Sequence, residues 1–276
     1  MPATRIAFHL DDVGVSYGSV VAWKDLRKSG VVRSASVMVP CPWYPMARDD
    51  WQENPGQDLG VHLTLTSEWS TYRWRPMIGP AKGLTDDEGF FHRRPGSVAA
   101  SANPAAVADE IAAQIERALA DGIRPTHLDA HMGTAFLEPF IGAVLDASDH
   151  YGIPVLACRD LSALIAAVAV PGFDAGYLKE FLAEVEQRGA KIFDQFLIGF
   201  CPPDTDIEAH IEHIVRGAGS GCHFWGLHAN AADGMEAYAP QMAEPRLKEY
   251  ELFSSPRAQA LFEKLGVDPV EFRDDA

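Results

Sequence analysis

Four stretches of this 276-residue chain place acids and histidines at spacings that suit metal and proton chemistry. Asp11 and Asp12 are adjacent carboxylates at the end of an apolar run, and His62 stands inside another. His127, Asp129 and His131 alternate with Leu128 and Ala130, and His228 closes the run Phe224, Trp225, Gly226, Leu227. Imidazole nitrogens and carboxylate oxygens are the donors that borderline divalent cations take. Two histidines with one carboxylate leave positions open for water and substrate, the donor set of a catalytic rather than a structural site. Successive side chains on a strand point to opposite faces, so Asp11 and Asp12 are not expected to share one job: one can bind a metal while the other acts as base. By the same alternation His127, Asp129 and His131 project to one face, with His131 read as a ligand and His127 and Asp129 as groups that orient it. His228 could be held over a cleft as a general acid.

Taken singly, these residues have plainer readings. Asp11 and Asp12 could cap a turn or helix, His62 could be a hydrogen-bonded core histidine, and His228 could simply end a strand. Their joint placement outweighs those readings. His150, His210 and His213 fall in helical patterns with charged neighbours and read as surface residues, while His9, His92 and His223 receive no assignment.

Elements that would bring such distant residues together are legible in the alternation of short apolar runs with longer helical patterns. Strands are expected at Arg5 to Leu10, Ser34 to Val39, Leu59 to Leu65, Pro125 to Ala130, Ile153 to Cys158 and Cys222 to His228. Helices are expected at Tyr17 to Lys28 (Ser16 as cap, Gly30 as stop), Met46 to Trp51, Phe136 to Tyr151, Tyr177 to Arg188, Ile207 to Arg216 and Met242 to Leu265. The clearest helix begins at Asn103 as cap with Pro104 first and ends before Gly122, its apolar residues recurring at Val107, Ile111, Ile115 and Leu119. Thr66 to Ala102 breaks the pattern with Trp69, Tyr72, Trp74, Phe90 and Phe91 among glycines and prolines. A connection this long is usually either functional or mobile, and its aromatic content makes it read as a lid or substrate wall, with Trp69, Tyr72 and Trp74 as residues that stack on a sugar or simply close the lid. One α/β domain, a distorted (β/α) barrel of TIM-barrel type, is expected over residues 1–276. In a parallel barrel the carboxyl ends of the strands meet at one mouth, where the acids and histidines fall.

Composition narrows the partners. With 23 Lys and Arg against 39 Asp and Glu, the formal charge of −16 repels phosphate backbones and anionic lipid, so neither nucleic acid nor membrane is an expected partner. The first ten residues lack the apolar stretch of a signal peptide and no run approaches a spanning helix, which makes a cytoplasmic protein the expectation. Cys41, Cys158, Cys201 and Cys222 have no paired spacing and read as reduced, mostly buried thiols. A symmetric homodimer is the commonest assembly for such an enzyme.

The three motifs His9 to Gly14, Gly60 to Leu65 and Thr126 to His131 resemble, in order and spacing, those of the YdjC/ChbG-like carbohydrate deacetylases, a family that includes the HpnK proteins. The resemblance, with His228, spans most of the chain. It implies a distorted (β/α) barrel that removes an acetyl group from an N-acetylated amino sugar with one divalent metal ion, zinc or magnesium. The sugar would be a chitooligosaccharide, another N-acetylglucosamine-containing saccharide or a glycolipid. By the same resemblance Asp11 is the general base, Asp12, His62 and His131 are the metal ligands, and His228 protonates or polarises the leaving group. This chain departs from the family pattern in having His9 where Asn is usual, Met132 and Gly133 where further histidines occur, and Ala229 after His228 where Pro is usual. Two rivals stand beside this reading. A sugar-binding protein on a deacetylase scaffold would release no acetate, and a non-haem iron oxygenase, which shares the two-histidine, one-carboxylate donor set, would need oxygen and ferrous iron.

Overall fold

A computed structural model of the chain describes residues 4–81, 83–168, 175–188 and 190–273. Its elements run β1 (Thr4–Val13), α1 (Tyr17–Leu26), β2 (Ser34–Val37), α2 (Tyr44–Glu53), β3 (Asp58–Leu63), α3 (Pro95–Ser101), α4 (Pro104–Ala120), β4 (Leu128–Ala130), α5 (Ile141–Tyr151) and β5 (Ala157–Asp160). They continue with α6 (Ser162–Val168), α7 (Ala175–Gln187), β6 (Ile192–Ile198), α8 (Ile207–Ala218), β7 (Gly221–Leu227), α9 (Pro240–Phe253), α10 (Pro256–Leu265) and β8 (Val267–Pro269). Seven strands lie in the order β4-β3-β2-β1-β7-β6-β5, all parallel, and β8 pairs with the first residues of β1. The two ends of that path meet: Leu128 N donates to Pro154 O at 2.8 Å and Leu156 N to Leu128 O at 2.9 Å. The sheet is thus curled into the distorted barrel expected from the alternation of elements.

Alternation along β1 sorts its side chains between two environments. Phe8 faces outward, its ring 4.4 Å from Phe262 and 5.6 Å from Phe253 on α10 and α9, and 5.7 Å from Trp225 of β7. Truncating a fully buried ring of this kind costs about 3–5 kcal/mol, because the lost contacts leave a cavity. His9 faces the interior, where its ring meets those of His127 and Phe224 at 4.8 and 4.9 Å. Phe272, near the chain end, closes this layer by stacking on His127 at 4.1 Å.

α1 starts at Ser16, whose hydroxyl accepts from Ser19 N, and ends in a 3-10 turn at left-handed Gly30. α4 begins with the Asn103 side chain accepting from Ala105 N and with Pro104 at its first position, as the sequence predicts. It also anchors the long insertion. Buried Gln114 pairs with both backbone groups of Thr64, and Glu110 accepts from Met77 N, Ile78 N and Gln114 Nε2.

Several boundaries differ from expectation. β6 is absent from the sequence reading because Asp194 and Gln195 interrupt its apolar run. Asp194 is there for its neighbour, accepting from Cys222 N of β7 at 2.8 Å. The helix expected at Phe136 starts only at Ile141, because His131–Phe136 forms a 3-10 turn with left-handed Met132 and Gly133. The terminal helical region is two helices, broken at Ser254 and Ser255 with Pro256 opening the second. The insertion contains α3, and its ring of Trp74 is held by Nε1 donating to Thr66 O at 2.9 Å. All four cysteines are buried and free, as expected.

Candidate metal centre at the barrel mouth

β1 carries two acids into one chamber by breaking its own alternation. Its register against β2 shifts between Leu10 and Val13, and Asp12 has φ 62°. That left-handed conformation is costly for a residue with a side chain and is tolerated by Asp more readily than by most. Asp11 and Asp12 therefore both line the cavity, where simple strand geometry would have separated them.

Asp12 is the hub. Its Oδ1 lies 2.9 Å from His131 Nδ1 and 3.4 Å from His62 Nε2, while Oδ2 accepts from Arg246 Nη2 at 2.7 Å. Ligand atoms about 2.1 Å from one cation stand roughly 3.0–3.4 Å apart in octahedral or tetrahedral arrangements, so these spacings match a shared coordination sphere. Each ring is held from its far nitrogen. His62 Nδ1 faces Asp129 Oδ2 at 2.9 Å and the Ser36 hydroxyl at 3.0 Å, and His131 Nε2 faces Glu68 Oε2 at 3.0 Å. Carboxylates placed this way fix the tautomer and turn the other nitrogen towards the shared point.

Electrostatics agree. Burial would raise Asp12, but the Arg246 guanidinium and His131 outweigh it and hold the carboxyl well below the usual range. Burial would lower both histidines, yet the Asp129 and Asp12 carboxylates drive His62 well up, and Glu68 with Asp12 raises His131 to about 9. The cluster thus draws positive charge onto both rings, the condition under which a dication can displace their protons. Residues and spacings fit one divalent cation held by Asp12, His62 and His131.

Asp11 stands beside this group with different neighbours. Its Oδ2 is 3.8 Å from His228 Nε2, its Oδ1 3.5 Å from His9 Nε2, and Oδ1 has no hydrogen-bond partner among the described residues. Burial pushes its pKa up to about 7 against the lowering pull of His62 and His9. His228 is driven down to about 3, chiefly by burial, and its backbone N–H donates to Glu249 at 2.7 Å. Ala229 is followed by buried Asn230, which accepts the Ser16 hydroxyl at 2.6 Å and so ties the β7 exit to the β1 exit.

Asp129 orients His62 rather than His131, and it also accepts from Ser36 at 2.7 Å. His127 contacts neither ring, lying a layer deeper between Phe272, His9 and Asp58. Trp69 reaches the cavity, whereas Tyr72 and Trp74 stand behind it at ring distances of 5.9 and 5.7 Å, and Tyr72 donates to Val15 O. Four participants escaped the sequence reading. His9 shared the inward face of β1 with Asp11, an i, i+2 signal that was there to use. Glu68, Arg246 and Glu249 come from the insertion and from α9, where nothing local marks them.

The fold and the cluster define a (β/α) barrel with a histidine–aspartate centre at its mouth, facing a cavity of about 460 Å³. Residues 5–264 match the model of the YdjC-like proteins, and the chain belongs to that family. A carbohydrate deacetylase of Listeria monocytogenes serotype 4b (strain CLIP80459) is 30% identical over 275 residues, covering 98% of this chain and 99% of the relative. One from Thermus thermophilus is 35% identical over 160 residues, 58% of this chain and 55% of the relative. In fold, a protein of Enterococcus faecalis V583, provisionally described as a cellobiose-phosphate cleavage protein, superposes with TM-score 0.76 at 20% identity over 98% of each chain. No helix among the described residues is long and apolar enough to cross a membrane.

Proposed function

We propose that this protein is a metal-dependent amidohydrolase that removes the N-acetyl group of an N-acetylated amino sugar, giving acetate and the free amine. The observation that carries this reading is the convergence of Asp12, His62 and His131 on one point with Asp11 alongside, in a chain whose full-length relatives are named carbohydrate deacetylases. The bound cation, zinc or magnesium, would polarise the amide oxygen and acidify water. Asp11, poised near neutrality, takes the proton of the attacking water on its carboxylate. An amine anion is too basic to leave, so a proton must reach its nitrogen. We assign that step to His228, whose Nε2 lies 3.8 Å from Asp11 Oδ2. Arg246 holds Asp12, Asp129 holds His62 and Glu68 holds His131, so the ligands need no rearrangement during turnover. The insertion serves as the wall against which the sugar lies.

Acetate release from N-acetylglucosamine and its β-linked dimer, with and without chelator, tests the reading. Asp11→Asn is expected to bind metal and lose turnover, and His62→Ala to lose both. Turnover by Asp11→Asn near the parent rate would refute the base, and turnover indifferent to chelator would refute the metal.

A further inference from the structure

The cavity in front of the cluster has two unlike halves. Next to β3, the insertion supplies Glu68, Trp69, Arg93 and Arg94, with charge and hydrogen-bonding capacity. The segments around β5 and β6, with α6 and α7, supply Leu156, Leu161, Leu164, Phe181, Phe196 and Ile198. Among the described lining side chains there, the one polar atom is the sulfur of fully buried Cys158.

A hexosamine ring carries hydroxyls around its edge, and each one moved from water to a wall without a partner costs roughly tenfold or more in affinity. Alkyl carbons gain about fourfold per methylene in the same place. The apolar half also reaches the reacting end. Asp11 Oδ2 and Phe196 Cζ lie 3.0 and 3.1 Å from the point where a Cβ on Gly226 would stand, and the Phe200 ring is 4.8 Å from that of His228. A chain lying there is within reach of an amide held at Asp11, so chain and amide can belong to one molecule.

We infer that the substrate is an amino-sugar amide bearing an apolar chain, its sugar against Glu68, Trp69, Arg93 and Arg94 and its chain in the half lined from β5 to β6. This rests on the amidohydrolase reading and chooses among its substrates. The chain is either the N-acyl group itself or an alkyl aglycone.

Amine release is measured for N-acetylglucosamine, for N-hexanoylglucosamine and for octyl N-acetyl-β-glucosaminide below its micellar concentration. One of the two chain-bearing compounds is expected to exceed N-acetylglucosamine in kcat/KM by about fiftyfold or more, which also says which end carries the chain. In Leu164→Asn and Phe181→Asn that ratio is expected to fall below about fivefold. Turnover of N-acetylglucosamine with no gain from either chain overturns the inference and leaves the deacetylase reading standing. Should none of the three release amine, that reading fails, and titration calorimetry with octyl and methyl β-glucoside decides the apolar half: octyl-only binding, lost in Phe181→Asn, supports it, and absence of octyl binding overturns it.

Discussion

Gly60→Ala tests how tightly the layer beneath the centre is built. A Cβ on Gly60 would stand 2.4 Å from His127 Nε2, 2.5 Å from Cδ2 and 2.7 Å from Cε1. Restoring ordinary contact requires the ring to move by about 1 Å. It has nowhere to go, because Phe272 stacks on it at 4.1 Å, His9 meets it at 4.8 Å and Asp58 lies 3.8 Å from Nδ1. Gly60 has no positive φ, so the methyl group acts by overlap alone, and overpacking of this kind costs about 1–3 kcal/mol. For a chain of this size that lowers Tm by roughly 2–5 °C. Thermal melts of parent, Gly60→Ala, His127→Ala and the double variant close a cycle. The two changes should couple by about 1 kcal/mol or more, because deleting the ring makes room for the methyl. A Gly60→Ala melt within a degree of the parent, with additive single effects, would show that the layer has slack and that the steric argument is wrong.

Glu68→Gln should weaken divalent-metal affinity about 10–100-fold, read by competition with a chelating dye, since it holds His131 from its far nitrogen. Arg246→Met leaves the buried Asp12 carboxylate without its cation and should destabilise the metal-free protein by about 3–5 kcal/mol in urea melts. His127 has a folded pKa of about 3, lowered by burial from 6.5, so its contribution is intact above pH 6.5 and drains away as the pH falls towards 3, where the unfolded chain binds a proton that the folded one refuses. Replacing it by Phe should therefore flatten the loss of stability between pH 6 and 4 by about 1.4 kcal/mol per unit, measured as the pH dependence of urea midpoints. Gly226→Ala, whose methyl would press on Asp11 Oδ2 and Phe196, should lower kcat with metal affinity unchanged.

Local signals made the barrel and much of the centre legible. Asn103, Pro104 and Gly122 bounded α4, and the runs ending in Asp11, bearing His62 and leading into His131 located three strands of the mouth. What escaped depended on tertiary partners. β6 hid because Asp194 satisfies a backbone group of β7, and Arg246 sits on a helix whose face towards Asp12 has no sequence mark. The opposite placement expected for Asp11 and Asp12 failed because a single left-handed residue overrides the period of a strand. The orienting role expected of Asp129 went to the wrong ring, since β4 registers Asp129 against His62 and carries His131 past it into the turn.

The join between β4 and β5 has a mechanical consequence. Where β1 and β7 are laced over seven register positions, this seam is fastened by the two Leu128 hydrogen bonds alone among the described residues. A cylinder stitched so unevenly yields first at its weakest stitch, so the amide protons of Leu128 and Leu156 should exchange with solvent sooner than that of Trp225. Leu156 borders the chamber, which can therefore widen through its own side wall.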